Sequence, residues 1–275
     1  MTFDVKNTTF SSLWDVVLPY NCRGCGKVGK PLCECCKKHI IGNSMSIQTA
    51  DLDEMYAAGM REGVLKDLVV EYKYQSRRGF AMTLAEILEG ALPLDLKERL
   101  MRGHAIVVPL PTIHRHIRER GFDHTAKMAK ALARRLGLEY LPLLKRVNKT
   151  VQVGADGETR KKQAGEAYEV NKNFFATRRS SPSPRMERAS TRAAALRIPQ
   201  KSFLFTSTPI LLVDDILTTG ASLSAAAQKI RQAGFKSVSG VVVAMGLKSG
   251  DLVAAHASDG RDDEVDDGIG QHTND

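Results

Sequence analysis

Thirteen consecutive residues, Ile210-Leu-Leu-Val-Asp-Asp-Ile-Leu-Thr-Thr-Gly-Ala-Ser222, concentrate the chemistry of this chain. The apolar run that opens them reads as a buried strand, and two adjacent acids, Asp214 and Asp215, stand at its end. In a parallel sheet the ligand crevice lies at the carboxyl ends of the strands, so both acids are expected there. The turn Thr218-Thr219-Gly220-Ala221-Ser222 follows, with a helix directly after it. Its amides, its hydroxyls and the helix N-terminus together suit a phosphate, and Gly220 lets the backbone come close. Two carboxylates would repel a bare phosphate. They make sense against sugar hydroxyls, or where a divalent cation accompanies the ligand. A sugar 5′-phosphate whose 2′ and 3′ hydroxyls meet the acids satisfies every element. The bland alternative is a surface acidic turn ahead of a helix cap. The chain has no P-loop and no dinucleotide fingerprint after a strand. Adjacent acids, rather than D-x-D, disfavour an aspartyl-phosphate mechanism.

A second cluster lies near the N-terminus. All five cysteines fall between Cys22 and Cys36. Cys22-x-x-Cys25 and Cys33-x-x-Cys36 are separated by seven residues, with Gly24, Gly26 and Gly29 permitting tight knuckles. Two such pairs at short range predict a tetrahedral Zn²⁺ site, structural rather than catalytic because four thiolates close the shell. Cys35 is a fifth thiol that could exchange with a neighbour, and His39 reads as a surface residue. Basic residues around the knot (Arg23, Lys27, Lys30, Lys37, Lys38) suit nucleic acid or a protein partner.

The elements that must position these groups are legible in outline. Val64, Leu65, Leu68, Val69 and Tyr72 have helical spacing after a short strand at 56–58, and a second helix covers 80–88. Residues 104–111 read as a buried strand closed by Pro109 and Pro111. Phe122, Ala126, Ala129, Ala133 and Leu136 form the stripe of another helix, capped by Gly137. Residues 138–147 are extended, 222–234 helical, and 236–245 a valine-rich strand. Strands alternating with helices imply an α/β fold with a mostly parallel sheet.

The chain has 275 residues and a formal charge of +9, with 26% charged and 43% hydrophobic residues, a globular composition. The charge is uneven. Residues 251–275 carry −7, leaving +16 on the first 250, enough to attract polyanions. Residues 174–208 carry +6 with three prolines and no sustained period. That segment is expected to be a flexible basic insertion, and the acidic tail to be disordered. No stretch has the roughly 18 apolar residues of a membrane helix, and the N-terminus lacks a signal-like apolar region. Clustered cysteines without a disulfide framework point to a reducing, cytoplasmic setting. The expected organisation is a metal module over 1–50, the α/β domain over 51–250 and the tail over 251–275.

The 210–222 stretch closely resembles the phosphoribosyl-pyrophosphate (PRPP) signature of type I phosphoribosyltransferases, and the rest of the chain resembles the competence protein F (ComF) family. The resemblance includes the cysteine ribbon, Lys73-Tyr74, Val108-Pro-Leu-Pro111, Arg118-Glu-Arg-Gly-Phe122, Leu144-Lys-Arg146, Gln152 and Arg160. It spans about 18–170 and 209–246. Asp123-His124 stand where the family usually has Asn-Gln, and Gln163 where it favours Asn. The resemblance implies a type I phosphoribosyltransferase-like parallel sheet flanked by helices, with an N-terminal zinc ribbon. It implies Asp214 and Asp215 as catalytic acids and Thr218, Thr219, Gly220, Ala221 and Ser222 on the PRPP phosphate. Lys73, Arg115, Arg118 and Arg120 are pyrophosphate-side candidates, although the basic run reads equally as a solvated loop. Segment 145–209 corresponds to a mobile catalytic hood. The implied chemistry is pentosyl transfer from Mg²⁺–PRPP, or ribose 5-phosphate binding, with pyrophosphate leaving and an acceptor that no residue pattern reveals. The other reading is a non-catalytic factor for DNA uptake that binds single-stranded DNA beside competence-machinery proteins. Sparse aromatics, 6% of the chain, weigh against base stacking.

Overall fold

The computed structural model describes residues 20–74, 78–147, 167–171 and 207–246. Gln152, Arg160 and Gln163, nearly all of the 174–208 insertion and the acidic tail lie outside the described residues.

Six strands make one mixed, mostly parallel sheet. In chain order they are β3 (Met45–Ser46), β4 (Met55–Ala57), β5 (Ile106–Pro109), β6 (Glu139–Tyr140), β9 (Ile210–Leu217) and β10 (Val238–Met245). Across the sheet the order is β3-β4-β10-β9-β5-β6, and only the β3–β4 pair is antiparallel. The central strands are buried along nearly their whole length, as expected where helices cover both faces of a parallel sheet. This is the α/β architecture that the alternating pattern implies.

One face is covered by α2 (Gly63–Tyr74), α3 (Arg78–Ala91), α4 (Leu94–Arg102) and α6 (His124–Leu136). Leu68, Tyr72, Leu84, Leu88, Leu100, Met128 and Leu132 fill that layer against Leu211 and Val213 of β9. The other face is covered by α7 (Ala221–Gln232), whose Leu223, Ala226 and Ile230 pack with Leu212 and Val242. A small antiparallel pair, β7 (Leu144–Arg146) and β8 (Tyr168–Val170), sits on this second layer through Leu144 and Tyr168.

Two helices differ from the sequence reading. α4 was not expected at all; its signal is Leu92, Leu96 and Leu100 at intervals of four, with Pro93 at the cap position. The basic run 114–120, expected as a loop, forms a short helix, α5 (His114–Arg120), ended by Gly121 at φ 75°. No helix among the described residues is long and apolar enough to cross a membrane.

The cysteine region is held by β1 (Tyr20–Asn21), β2 (Val28–Gly29) and α1 (Glu34–Ile41). It has no separate core. Tyr20, Cys22 and Leu32 are buried in the same layer as α2 and α3, and the Tyr20 ring meets Phe80 edge-on at 5.4 Å. Gly79 N–H donates to Tyr20 Oη (3.2 Å), and Lys37 pairs with Glu86 of α3 at 2.5 Å.

Candidate functional site

From β5 the chain passes through α6 to β6 on one side. From β9 it passes through α7 to β10 on the other. The two connections diverge from adjacent strands, which opens a crevice at their carboxyl ends, the usual ligand position in such sheets. A cavity of about 240 Å³ lies there. Lys73, Thr112, His116, Arg120, His124, Arg146, Tyr168, Asp214, Asp215 and Ser222 are among its lining residues.

Both acids are strand residues, because β9 continues through them to Leu217. Alternation along the strand sends them to opposite faces. Asp215 is buried and its Oδ2 meets Lys73 Nζ at 2.5 Å and His124 Nε2 at 3.2 Å. Burial pushes its carboxyl up, but the His124 hydrogen bond and the Lys73 charge outweigh that and hold it well below the usual carboxylate range. Asp214 is half-buried, and its Oδ1 accepts from the Asp215 amide at 2.9 Å. Burial, with the neighbouring Asp215 charge, holds its carboxyl well above the ordinary range. Two adjacent carboxylates thus have opposite characters. One is a neutralised anion and the other retains its proton more readily.

The turn from β9 into α7 passes through Gly220. Gly220 takes φ 74° at the cap of α7, a left-handed conformation that favours glycine. Gly220 offers no side chain to cap this helix, and the Ala221 amide donates to Thr219 Oγ1 at 3.5 Å. Thr218, Thr219, Ala221 and Ser222 are exposed, and Ser222 reaches the cavity lining.

Of the pyrophosphate-side candidates, Lys73 and Arg120 line the cavity, whereas Arg115 and Arg118 are exposed and outside its lining. Arg115 pairs with Glu119 at 2.7 Å. The structure adds residues that sequence reasoning did not single out as site groups. Arg146 donates to Tyr168 Oη (3.1 Å) and lies over that ring, bringing a cation to the second wall. Arg146 stands within the Leu144-Lys-Arg146 motif; Tyr168 has no local signal, because only the β7–β8 pairing brings it to the wall. His124 lines the cavity at the start of α6, and Asp123 precedes it. Asp123 caps α6 by accepting from Ala126 N–H (3.0 Å) and also accepts from Thr112 Oγ1 (3.1 Å). The lining therefore carries Lys73, Arg120 and Arg146 against Asp214 and Asp215, a balance that suits an anion.

At the N-terminal cluster, Cys22, Cys25, Cys33 and Cys36 bring their sulfurs within 4.8 Å of one another, an arrangement that could hold a metal ion. Cys25 and Cys33 sulfurs are 3.6 Å apart. A tetrahedron with Zn–S bonds of about 2.3 Å has sulfur–sulfur edges of about 3.8 Å, so the fit is good. Gly26 N–H donates to Cys22 O (2.8 Å) and Cys33 N–H to Cys22 Sγ (3.3 Å). Burial raises the Cys22 thiol, but amides of Cys33, Cys25 and Gly24 outweigh it and bring it down to about 6. The neighbouring Cys33 thiol, with burial and the other two thiols, pushes Cys36 up to about 12. A Cβ on Gly24 would stand 2.6 Å from Cys36 Sγ, so the close approach needs glycine there. Cys35 is exposed and outside the group.

Comparison with known proteins agrees with this picture. No family model matches the chain. Competence protein F of Haemophilus influenzae is 24% identical over 229 residues, covering 79% of this chain and 86% of that protein. The relationship supports the ComF resemblance.

Proposed function

We propose that this relative of competence protein F binds Mg²⁺–PRPP at the carboxyl ends of β5 and β9 and transfers the pentosyl group to an acceptor with release of pyrophosphate. The observation that carries this reading is the meeting, in one small cavity, of a carboxylate pair, three cations and the start of α7. In such a transfer the acceptor's lone pair forms a bond to C1 while the C1–oxygen bond to the diphosphate breaks. Positive charge develops on the sugar and negative charge on the leaving group. Ser222 and the amides around Gly220 would take the 5′-phosphate. Lys73 and Arg120 would oppose the diphosphate charge. Asp215 Oδ2 is taken by Lys73 and His124, so Asp214 is the carboxylate left for a sugar hydroxyl or for the accompanying ion. Magnesium, when bound with the diphosphate, would offset the leaving-group charge, and oxygen ligands of this kind fit it. A structural Zn²⁺ on Cys22, Cys25, Cys33 and Cys36 completes the reading.

Calorimetry with PRPP and ribose 5-phosphate, with and without Mg²⁺, tests the site. Mg²⁺-assisted PRPP binding should be present in the natural protein and lost in the Asp214→Asn/Asp215→Asn variant, a change of tenfold or more. Equal affinity in the double variant would overturn the assignment. Pyrophosphate release in a metabolite mixture tests turnover.

The relative's name speaks of competence, which suits a second reading: a non-catalytic factor for DNA uptake that would use the same pocket and bind single-stranded DNA. Tight PRPP binding without pyrophosphate release under any acceptor mixture would decide for it.

A further inference from the structure

His124 is 4% exposed and lies between two elements of the cavity wall. Its Nδ1 is 3.1 Å from Arg120 Nη1 and its Nε2 is 3.2 Å from Asp215 Oδ2. A guanidinium can only donate, so Nδ1 must accept and the ring proton must sit on Nε2, where it donates to the carboxylate. The backbone around it is equally tied. Tyr72 Oη donates to the His124 carbonyl at 2.7 Å, and Asp123 anchors the first turn of α6. The groups facing His124 are therefore Arg120 from α5, Tyr72 and Lys73 from α2, and Asp215 from β9, with Asp123 beside it.

We propose that His124 is a positioning residue, a neutral donor–acceptor bridge that ties Arg120 on the diphosphate side to Asp215 on the sugar side. A glutamine amide can do the same work, its oxygen accepting from Arg120 and its nitrogen donating to Asp215. With Lys73, the bridge holds Asp215 Oδ2 from two sides and fixes that carboxylate beside Asp214. It also makes the two halves of the cavity interdependent, because a diphosphate that draws Arg120 away removes the donor that fixes the His124 ring.

This inference rests on the PRPP reading for its binding arm but not for its spectroscopic one. Nitrogen NMR of the uniformly labelled protein, with the His124 signals identified by their loss in His124→Gln, reports the ring directly. At pH 8 it should show Nε2 protonated and Nδ1 bare. An imidazolium or the opposite tautomer would overturn the bridge, whether or not any ligand binds. In the binding arm, His124→Gln should keep ribose 5-phosphate affinity within about threefold, and His124→Leu should lose about tenfold. Equal losses in the two variants, or none in His124→Leu, would overturn the bridge. If the natural protein binds neither ribose 5-phosphate nor PRPP, the functional reading fails and the ring tautomer still decides the bridge.

Discussion

The thiol cluster and the carboxylate cavity are both gatherings of groups that resist being together, yet they are built in opposite ways. The four thiols come from fifteen residues and two C-x-x-C turns, and the crowding shows in Cys36, pushed up to about 12. A metal ion is the natural relief of such crowding. The carboxylates are relieved internally. Asp215 has Lys73 from α2 and His124 from α6, and Asp214 keeps its proton more readily because of burial and its neighbour's charge. The first site thus suits a bound cation, and the second is balanced by side chains brought from far along the chain.

Removing the metal should give the largest effect. Chelation should unfold the 20–41 region, since structural zinc in small modules contributes about 10–16 kcal/mol of binding free energy. PRPP affinity should change little, because no cysteine lines the cavity. Hydrogen exchange across both regions checks this, and loss of protection around β9 as large as that around the knuckle would break the contrast. Metal analysis of protein prepared without chelators should find about one Zn²⁺ per chain.

The two acids should then respond to amide replacement with opposite signs. Asp215→Asn leaves Lys73 facing a neutral group in a buried wall and should destabilise the fold at neutral pH by about 3 kcal/mol. Its folded carboxyl is held low, so its contribution is present above the ordinary carboxylate range and is lost as pH falls through the depressed value. Asp214 is held high, so the folded protein loses stability as pH rises above about 4, toward that raised value. Asp214→Asn should therefore stabilise the protein by about 1 kcal/mol at pH 7, with the gain shrinking toward pH 4. Urea titrations at several pH values measure both. Two changes of the same sign would show that the acids do not differ as described.

The smallest effect concerns the seam between the two regions. Arg23, inside the first knuckle, donates from Nε to Glu71 at 2.5 Å, two residues before Lys73. Arg23→Ala should cost only about 0.2–1 kcal/mol, as for a partly exposed pair, and the cost should shrink in high salt. A larger loss, accompanied by weaker ligand binding, would mean that the knuckle positions Lys73.

The parts legible in the sequence are those set by neighbours along the chain. The cysteine spacing placed four ligands together because two short turns need no distant partner. The 210–222 stretch announced a strand, a glycine turn and a helix start because each is a local backbone preference, and the 3.6 period marked α2, α3 and α6. Local pattern was insufficient for α5, a short helix without an apolar stripe of its own, and for Tyr168, carried to the cavity only by pairing between β7 and β8. Asp214 and Asp215 are identical side chains one residue apart, and no property of the sequence distinguishes them. Their difference comes from the pleat, which turns one toward Lys73 and His124 and the other toward the opposite layer. His124 looked like a departure from a pattern, and only the approach of α5, α6 and β9 made it a bridge. A carboxylate's charge state depends on burial and on which cations lie within a few ångströms, and those distances are decided by tertiary packing.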